Sequence, residues 1–408
     1  MQIIAKKGVK IYRDFYIDMD IKPALTPKTV KLPLDKAGQH IDFKKTIGDS
    51  LLKYDVIAYI KNNIPVYSPV NGVLKDITVG PQMGDISGMQ YAIIDADDSN
   101  TPTYPLWKTE AEYSKQDLLE IIKNAAIINE SAEAFLINTI NKATKYQKII
   151  IDAVDEQPFD LSRTAVLKNY QNEVIGGAKI LAKAFGINQM EVLLIKNFCT
   201  QSIFKNGIDG AKIVKVGGKY PLFTEILQYA HSSTGLLVGA QCCRAIYRAT
   251  YFGEPQISNV VTVWGEGVDE PQNTEVIIGT PIKEIMEKSK ARGILERIVA
   301  GGVMKGYVAS PEWPLFGYNG VLTVMPLKKH SKTIECINCG RCAKVCPMKL
   351  APNYILRSSH IPGENIAKQL SAGMCIFCGA CSYICPSRLP LMAKIREYNT
   401  ALVEGKLI

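Results

Sequence analysis

Cys336-Ile337-Asn338-Cys339-Gly340-Arg341-Cys342-Ala343-Lys344-Val345-Cys346-Pro347 is repeated downstream as Cys375-Ile376-Phe377-Cys378-Gly379-Ala380-Cys381-Ser382-Tyr383-Ile384-Cys385-Pro386. Both stretches read C-x2-C-x2-C-x3-C-P. In this pattern three thiolates on a tight loop grip three irons of one [4Fe–4S] cube, and the fourth cysteine of each run ligates the other cube. The spacing therefore assigns Cys336, Cys339, Cys342 and Cys385 to a first cluster, and Cys375, Cys378, Cys381 and Cys346 to a second. Structural zinc uses separated C-x2–4-C pairs, a different pattern. The fourth cysteine is expected to start a helix, with Pro347 and Pro386 in its first turn. Gly340 and Gly379 are expected to let the backbone pass close to sulfide, and Ala351–Ala372 to form a helical connection. Two cubes held this way exchange single electrons, and the protein positions them and tunes their potential.

The rest of the chain must supply the scaffold. Its 408 residues allow two to four domains, and 47% hydrophobic residues can bury a core. Eight of the eleven cysteines fall within residues 336–385. The stretch Met1–Lys7 has no apolar leader core, so a disulfide scaffold is not expected and the expected location is the cytoplasm. No apolar run reaches the roughly 18–20 residues of a membrane helix. A net charge of +9 without a long Lys/Arg block argues against nucleic-acid binding.

Residues 1–103 read as β structure. The strand around Val56–Ala58 and the turn at Pro69-Val70-Asn71-Gly72 suit a barrel-sandwich hybrid of the biotinyl and lipoyl kind. Lys61 lies near the register of a swinging-arm lysine but lacks flanking acids, and reads as an exposed turn residue. Residues 104–252 alternate helix (Ser114–Lys123, Asn169–Phe185) with apolar strand (Lys148–Val154, Glu191–Ile195), the pattern of a parallel Rossmann-like layer. Residues 253–325 hold two strands and a helix from Ile282, fitting a β-grasp module and a connector. Residues 326–408 carry the cysteines and a helical tail, Leu389–Leu402.

In this order the pieces resemble the RnfC family, the C component of the Rnf electron-transport complex, which itself resembles the flavin-binding, NADH-oxidising subunit of respiratory complex I. The resemblance rests on Pro33-Leu34 with Gln39-His40-Ile41, Glu156 with Pro158-Phe159, Lys219-Tyr220-Pro221, Ala245-Ile246-Tyr247, Gly279-Thr280-Pro281, Gly301–Gly306 and the cysteine pair. It implies a multidomain α/β fold: a barrel-sandwich-hybrid domain, a complex I flavoprotein-like Rossmann domain, a β-grasp (SLBB) module, and a C-terminal helical two-[4Fe–4S] ferredoxin-like domain.

The departures from the family are informative. Its glycine-rich nucleotide loop corresponds to Ala125–Ile137, where no glycine remains. Ala126, Asn129, Ser131, Ala132 and Ala134 place Cβ atoms where backbone N–H groups would approach a phosphate. Glu130 and Glu133 add charge that opposes one, and Glu-Ser-Ala-Glu could start a helix. Leu222-Phe223-Thr224 replaces the family's Q-G-G. The resemblance with these losses implies two [4Fe–4S] clusters, no FMN or NADH site, and a redox protein partner. The family's offshoot associated with D-proline reductase is one such case, and some of its members resemble selenoproteins. Cys242 and Cys243, beside the former flavin pocket, are either packing residues or a thiol relay. In the second reading a helix starting at Arg244 lowers their pKa, and Cys199 is a possible third member. Two other readings are an NADH-oxidising component of a membrane complex and a scaffold protein with structural clusters.

Overall fold

The computed structural model describes residues 1–11, 17–82, 85–97, 105–107, 113–141, 143–291, 296–327, 332–358 and 370–403. The expected boundary at 103/104, residues 359–369 of the Ala351–Ala372 connection and residues 404–408 lie outside them.

A parallel five-stranded sheet forms the centre, ordered Gln2–Ala5, Lys212–Gly218, Gln189–Ile195, Lys148–Ala153, Gly235–Gly239. Ile149, Ile150 and Ile151 are all fully buried, as in a strand covered on both faces by crossover helices. The edge strand Gln2–Ala5 pairs with Lys215–Gly218. The first residues of the chain thus belong to this sheet, and the expected N-terminal β domain starts later. Its antiparallel layers are Thr29–Lys36, Asp85–Ala96, Gly72–Gln82 and Ser50–Leu51, and Asp42–Phe43, Val56–Ile60 and Ile64–Tyr67. Lys61 is exposed in the short turn Lys61–Asn63. A further, six-stranded sheet joins Ser258–Trp264 and Gln272–Ile277 to Ile21–Lys22, Val321–Pro326, Glu296–Ala300 and Tyr307–Ala309. The segment read as a connector therefore contributes three strands to it.

Two helices shape the wall of the central sheet. Gln171–Phe185 ends at Gly186, which takes φ +67° as a left-handed cap. Its glycine pair lies against the helix Ala240–Phe252. A Cβ on Gly177 would stand 1.9 Å from the Cys243 carbonyl oxygen, so the two backbones meet at a distance only glycine permits. The loop that could have started a helix is instead a small hairpin, with Ile128–Asn129 paired to Ala134–Phe135. Ala126 and Glu133 take φ of +50° and +52° around it, a conformation that closes a turn and breaks a helix.

Candidate iron-sulfur centre and adjoining cavity

The tail of the chain folds into two short-helix loops with the same backbone. Asn338, Gly340 and Lys349 have φ of +56°, +65° and +58°, and Phe377, Gly379 and Arg388, their counterparts, have +50°, +79° and +56°. The glycines serve this left-handed turn. A Cβ on Gly379 would also strike the Met304 carbonyl oxygen at 2.0 Å, whereas one on Gly340 would meet nothing. The expected helix at the fourth cysteine is displaced. Cys346 ends the helix Arg341–Val345, Pro347 opens a turn, and the next helix is Pro352–Ser358.

Cys336, Cys339, Cys342 and Cys385 line one small cavity of about 20 Å³. Cys346, Cys375, Cys378 and Cys381 line a second of about 20 Å³. Four thiols around each space form an all-sulfur donor set that fits a cube, and backbone N–H groups reach two of the sulfurs. Leu350 N donates to Cys346 Sγ and Phe377 N to Cys375 Sγ, both at 3.4 Å. Such bonds are one means of tuning a cluster potential. Burial pushes the free thiol of Cys378 up to about 11 and that of Cys381 up to about 12, so ligation must release these protons.

Next to the second set lies a cavity of about 290 Å³, at the carboxyl ends of the central strands. Cys378 lines both spaces. Tyr220, fully buried, donates from its hydroxyl to the Cys378 carbonyl at 2.7 Å and accepts from Gln157 Nε2 at 3.0 Å. At the mouth Lys305 pairs with Glu133, and Arg396 donates to the Lys305 carbonyl.

Three helix N-termini meet carboxyl groups of the chain itself, two of which, Glu130 and Glu156, line this cavity. Glu130, 4% exposed, accepts from the backbone N–H of Gln241 at 2.8 Å and of Cys242 at 3.1 Å. These open the helix Ala240–Phe252, which has no other side-chain cap. Glu156 accepts from Leu222 N and Phe223 N at 2.9 and 3.0 Å, at the start of Phe223–Ser232. Asp155 accepts from Arg163 N and Thr164 N, both at 3.0 Å, in the helix Ser162–Asn169. Helix N-termini are where anions bind, and here the chain's own carboxyl groups occupy them. Gly239 makes the first contact possible, since a Cβ there would stand 2.0 Å from Glu130 Cδ.

The loop's other residues hold this arrangement. Asn129 Oδ1 accepts from Gly239 N at 3.1 Å, and Ser131 Oγ donates to Asp152 at 2.7 Å. Arg163 bridges Asp152 at 2.6 Å and donates to the Glu130 carbonyl at 3.0 Å. Ala132 is exposed and Ala134 half-buried. Burial raises the Glu130 carboxyl pKa, opposed by Arg163 and by backbone N–H groups, that of Gln241 among them. Burial and neighbouring Asp160 raise Asp155 to about 7. Arg163, Asp152, Asp155 and Asp160 carried no local motif, and only the fold brings them together.

The helix expected to start at Arg244, after the two adjacent cysteines, starts before them. The helix starts at Ala240, so Cys242 and Cys243 lie inside its first turns. Both are fully buried, and burial raises both thiols well above their ordinary pKa, with Glu130 adding to the shift. A helix N-terminus favours thiolate only where its dipole is free to act on the sulfur, and here Glu130 takes the N–H groups. The Cys199 side chain lies outside the described residues.

Among the described residues no helix is long and apolar enough to cross a membrane. Residues 335–389 match the 4Fe-4S dicluster domain family. The C component of the ion-translocating oxidoreductase complex of Rhodobacter capsulatus is 27% identical, over 82% of this chain and 70% of its own length. The C component of the proton-translocating ferredoxin:NAD(+) oxidoreductase complex of Clostridium ljungdahlii is 28% identical, over 76% and 73%. A chain of an NAD+-reducing [NiFe]-hydrogenase structure superposes with a TM-score of 0.47 at 13% identity, over 74% of this chain and 64% of that one. The chain is thus a mixed α/β homologue of RnfC, the C component of the Rnf-type ion-translocating oxidoreductase complexes, ending in a 4Fe-4S dicluster domain.

Proposed function

We propose that this chain relays electrons through two [4Fe–4S] clusters, held by Cys336, Cys339, Cys342 and Cys385 and by Cys375, Cys378, Cys381 and Cys346, to or from a partner oxidoreductase, and that its own FMN and NADH site is lost. The observation that carries the reading is the Glu130 carboxylate on the N–H groups of Gln241 and Cys242. A phosphate would have to displace it, against the charge of Glu130 and Glu133. Glu156 holds the neighbouring helix start in the same way. The clusters supply one-electron transfer. The chain's residues position them: Tyr220 ties the Cys378 loop to the central domain, and Gly379 seats that loop on Met304. The antiparallel N-terminal layers act as a barrel-sandwich hybrid and the six-stranded sheet as a β-grasp module, both as scaffold. A D-proline reductase system is the partner we put forward, since a family scaffold without its nucleotide loop is what that offshoot resembles.

The test is anaerobic titration of the purified protein. We expect about eight irons per chain, no stoichiometric FMN, and cluster bleaching by a one-electron donor but not by NADH. Co-purification with native neighbours identifies the partner. A second reading is favoured by the retained cavity beside Cys378: an NADH-oxidising component of a membrane ion-translocating complex, as the relatives' names suggest. Tightly bound FMN with NADH-dependent bleaching would establish it and overturn the first.

A further inference from the structure

The charge of this chain is concentrated at its clusters. Residues 326–408 hold twelve Lys and Arg against four Glu and no Asp, so eight of the nine net positive charges lie there. Residues 332–349 alone carry four cations and one acid, Glu335. Lys332, Arg341, Lys344 and Arg388 are exposed, and none has an ion-pair partner among the described residues. Each lies within four residues of a cysteine of the first set. Cys339 is exposed; Ile337, 61% exposed, lines the first cavity with it, and Ile334, 57% exposed, lies two residues before Cys336. The loops are contiguous, since Ile334 N donates to the Ser387 carbonyl and Ser387 Oγ to the Glu335 carbonyl. The second set faces the internal cavity through Cys378. The two sets thus differ in access: one looks inward, the other outward through a basic rim with an apolar centre.

We propose that this surface, around Cys339 with Ile334 and Ile337 at its centre and Lys332, Arg341, Lys344 and Arg388 at its rim, docks an acidic one-electron carrier protein. This deepens the electron-transfer reading and rests on it. Cationic rims steer acidic partners and fix their orientation, while a small apolar centre excludes water at the point of closest approach. A membrane surface fits less well. Ile334 and Ile337 lie on irregular backbone rather than on an amphipathic helix, the element that inserts into an interface. The exposed ligand loop at the middle of the patch is what a redox partner needs to reach.

The experiment uses the full-length protein with both clusters, handled anaerobically, and an oxidised acidic two-[4Fe–4S] ferredoxin as probe. Equilibrium binding is measured against ionic strength, with the basic carrier cytochrome c as control. We expect the ferredoxin to bind, its affinity to fall with salt as exposed charge pairs are screened, and cytochrome c not to bind. The triple variant Lys332→Glu, Lys344→Glu, Arg388→Glu should weaken binding about tenfold or more at low salt. The milder Lys332→Gln, Lys344→Gln, Arg388→Gln variant should fall between, and iron content reports whether either is intact. Binding that ignores both salt and charge reversal, with iron retained, overturns the proposal. So does charge-dependent binding to phosphatidylglycerol vesicles without ferredoxin binding. If reduced methyl viologen bleaches the clusters yet the ferredoxin does not bind, the surface alone falls. If the ferredoxin binds as expected but no donor reduces the clusters, docking stands and the electron-transfer reading falls.

Discussion

Removing the Glu130 side chain tests whether the chain supplies its own anion. In Glu130→Ala the N–H groups of Gln241 and Cys242 lose carboxylate partners at 2.8 and 3.1 Å. Loss of a helix cap costs about 0.5–2 kcal/mol, and a buried donor left unpaired about 1–3 kcal/mol. Two effects offset this. The carboxyl is itself expensive to bury, as its raised pKa shows, and water from the adjoining cavity of about 290 Å³ can reach the freed groups. Arg163 keeps Asp152 as a partner. The net loss should be about 2 kcal/mol, a fall in melting temperature of roughly 2 °C at about 1 °C per kcal/mol for a chain of this length. The variant also exposes an uncapped helix start to the cavity. Inorganic phosphate should then bind there, and at one hundred times its Kd it would restore about 2.7 kcal/mol. The assay is anaerobic thermal melting of both proteins across a phosphate series at constant ionic strength. Phosphate should stabilise the variant and leave the wild type unchanged. Equal stabilisation of both would mean that Glu130 does not occupy an anion site, and the argument for a lost nucleotide site would fail with it.

Gly239→Ala should destabilise the protein because its Cβ would meet the Glu130 carboxyl at 2.0 Å; combined with Glu130→Ala the losses should be well below additive in a double-mutant cycle, and full additivity would show that the clash is elsewhere. Replacing Cys385 by serine should lower iron at the set containing Cys336, Cys339 and Cys342 while the Cys346, Cys375, Cys378, Cys381 set keeps its spectrum, because Cys385 lines the first cavity. The double variant Cys242→Ala, Cys243→Ala should lose stability through a small core void but retain electron delivery to the partner; loss of transfer with intact clusters would restore the thiol relay. The raised Asp155 pKa gives a pH signature. Because the folded state holds its proton up to about 7 while an unfolded aspartate releases it near pH 4, this group's contribution is greatest at low pH and declines as pH rises between those values. Urea unfolding from pH 5 to 8 should show the decline, and Asp155→Asn should flatten it.

The C-x2-C-x2-C-x3-C-P runs alone grouped the eight cysteines as the two cavities do, with Cys385 among the first set and Cys346 among the second, because the spacing of a cube's ligands is local. Apolar runs such as Lys148–Ala153 and the Gly186 stop after Phe185 were equally legible, since strand burial and helix capping are set within a few residues. The loop at Ala125–Ile137 could be read only as a loss. Its helix potential yielded to a hairpin because Asn129 and Glu130 find their partners at Gly239, Gln241 and Cys242, more than one hundred residues away in sequence. The same distance hid the fate of Cys242 and Cys243. Helix position alone argues for a reactive thiolate, whereas in the fold both side chains are fully buried, with Glu130 on the N–H groups, and burial raises both pKa values. Likewise no local signal in Gln2–Ala5 or Ile21–Lys22 tells which sheet each joins, because a short strand takes its place from the edge that is free to pair with it, and that edge exists only once the central and six-stranded sheets have formed.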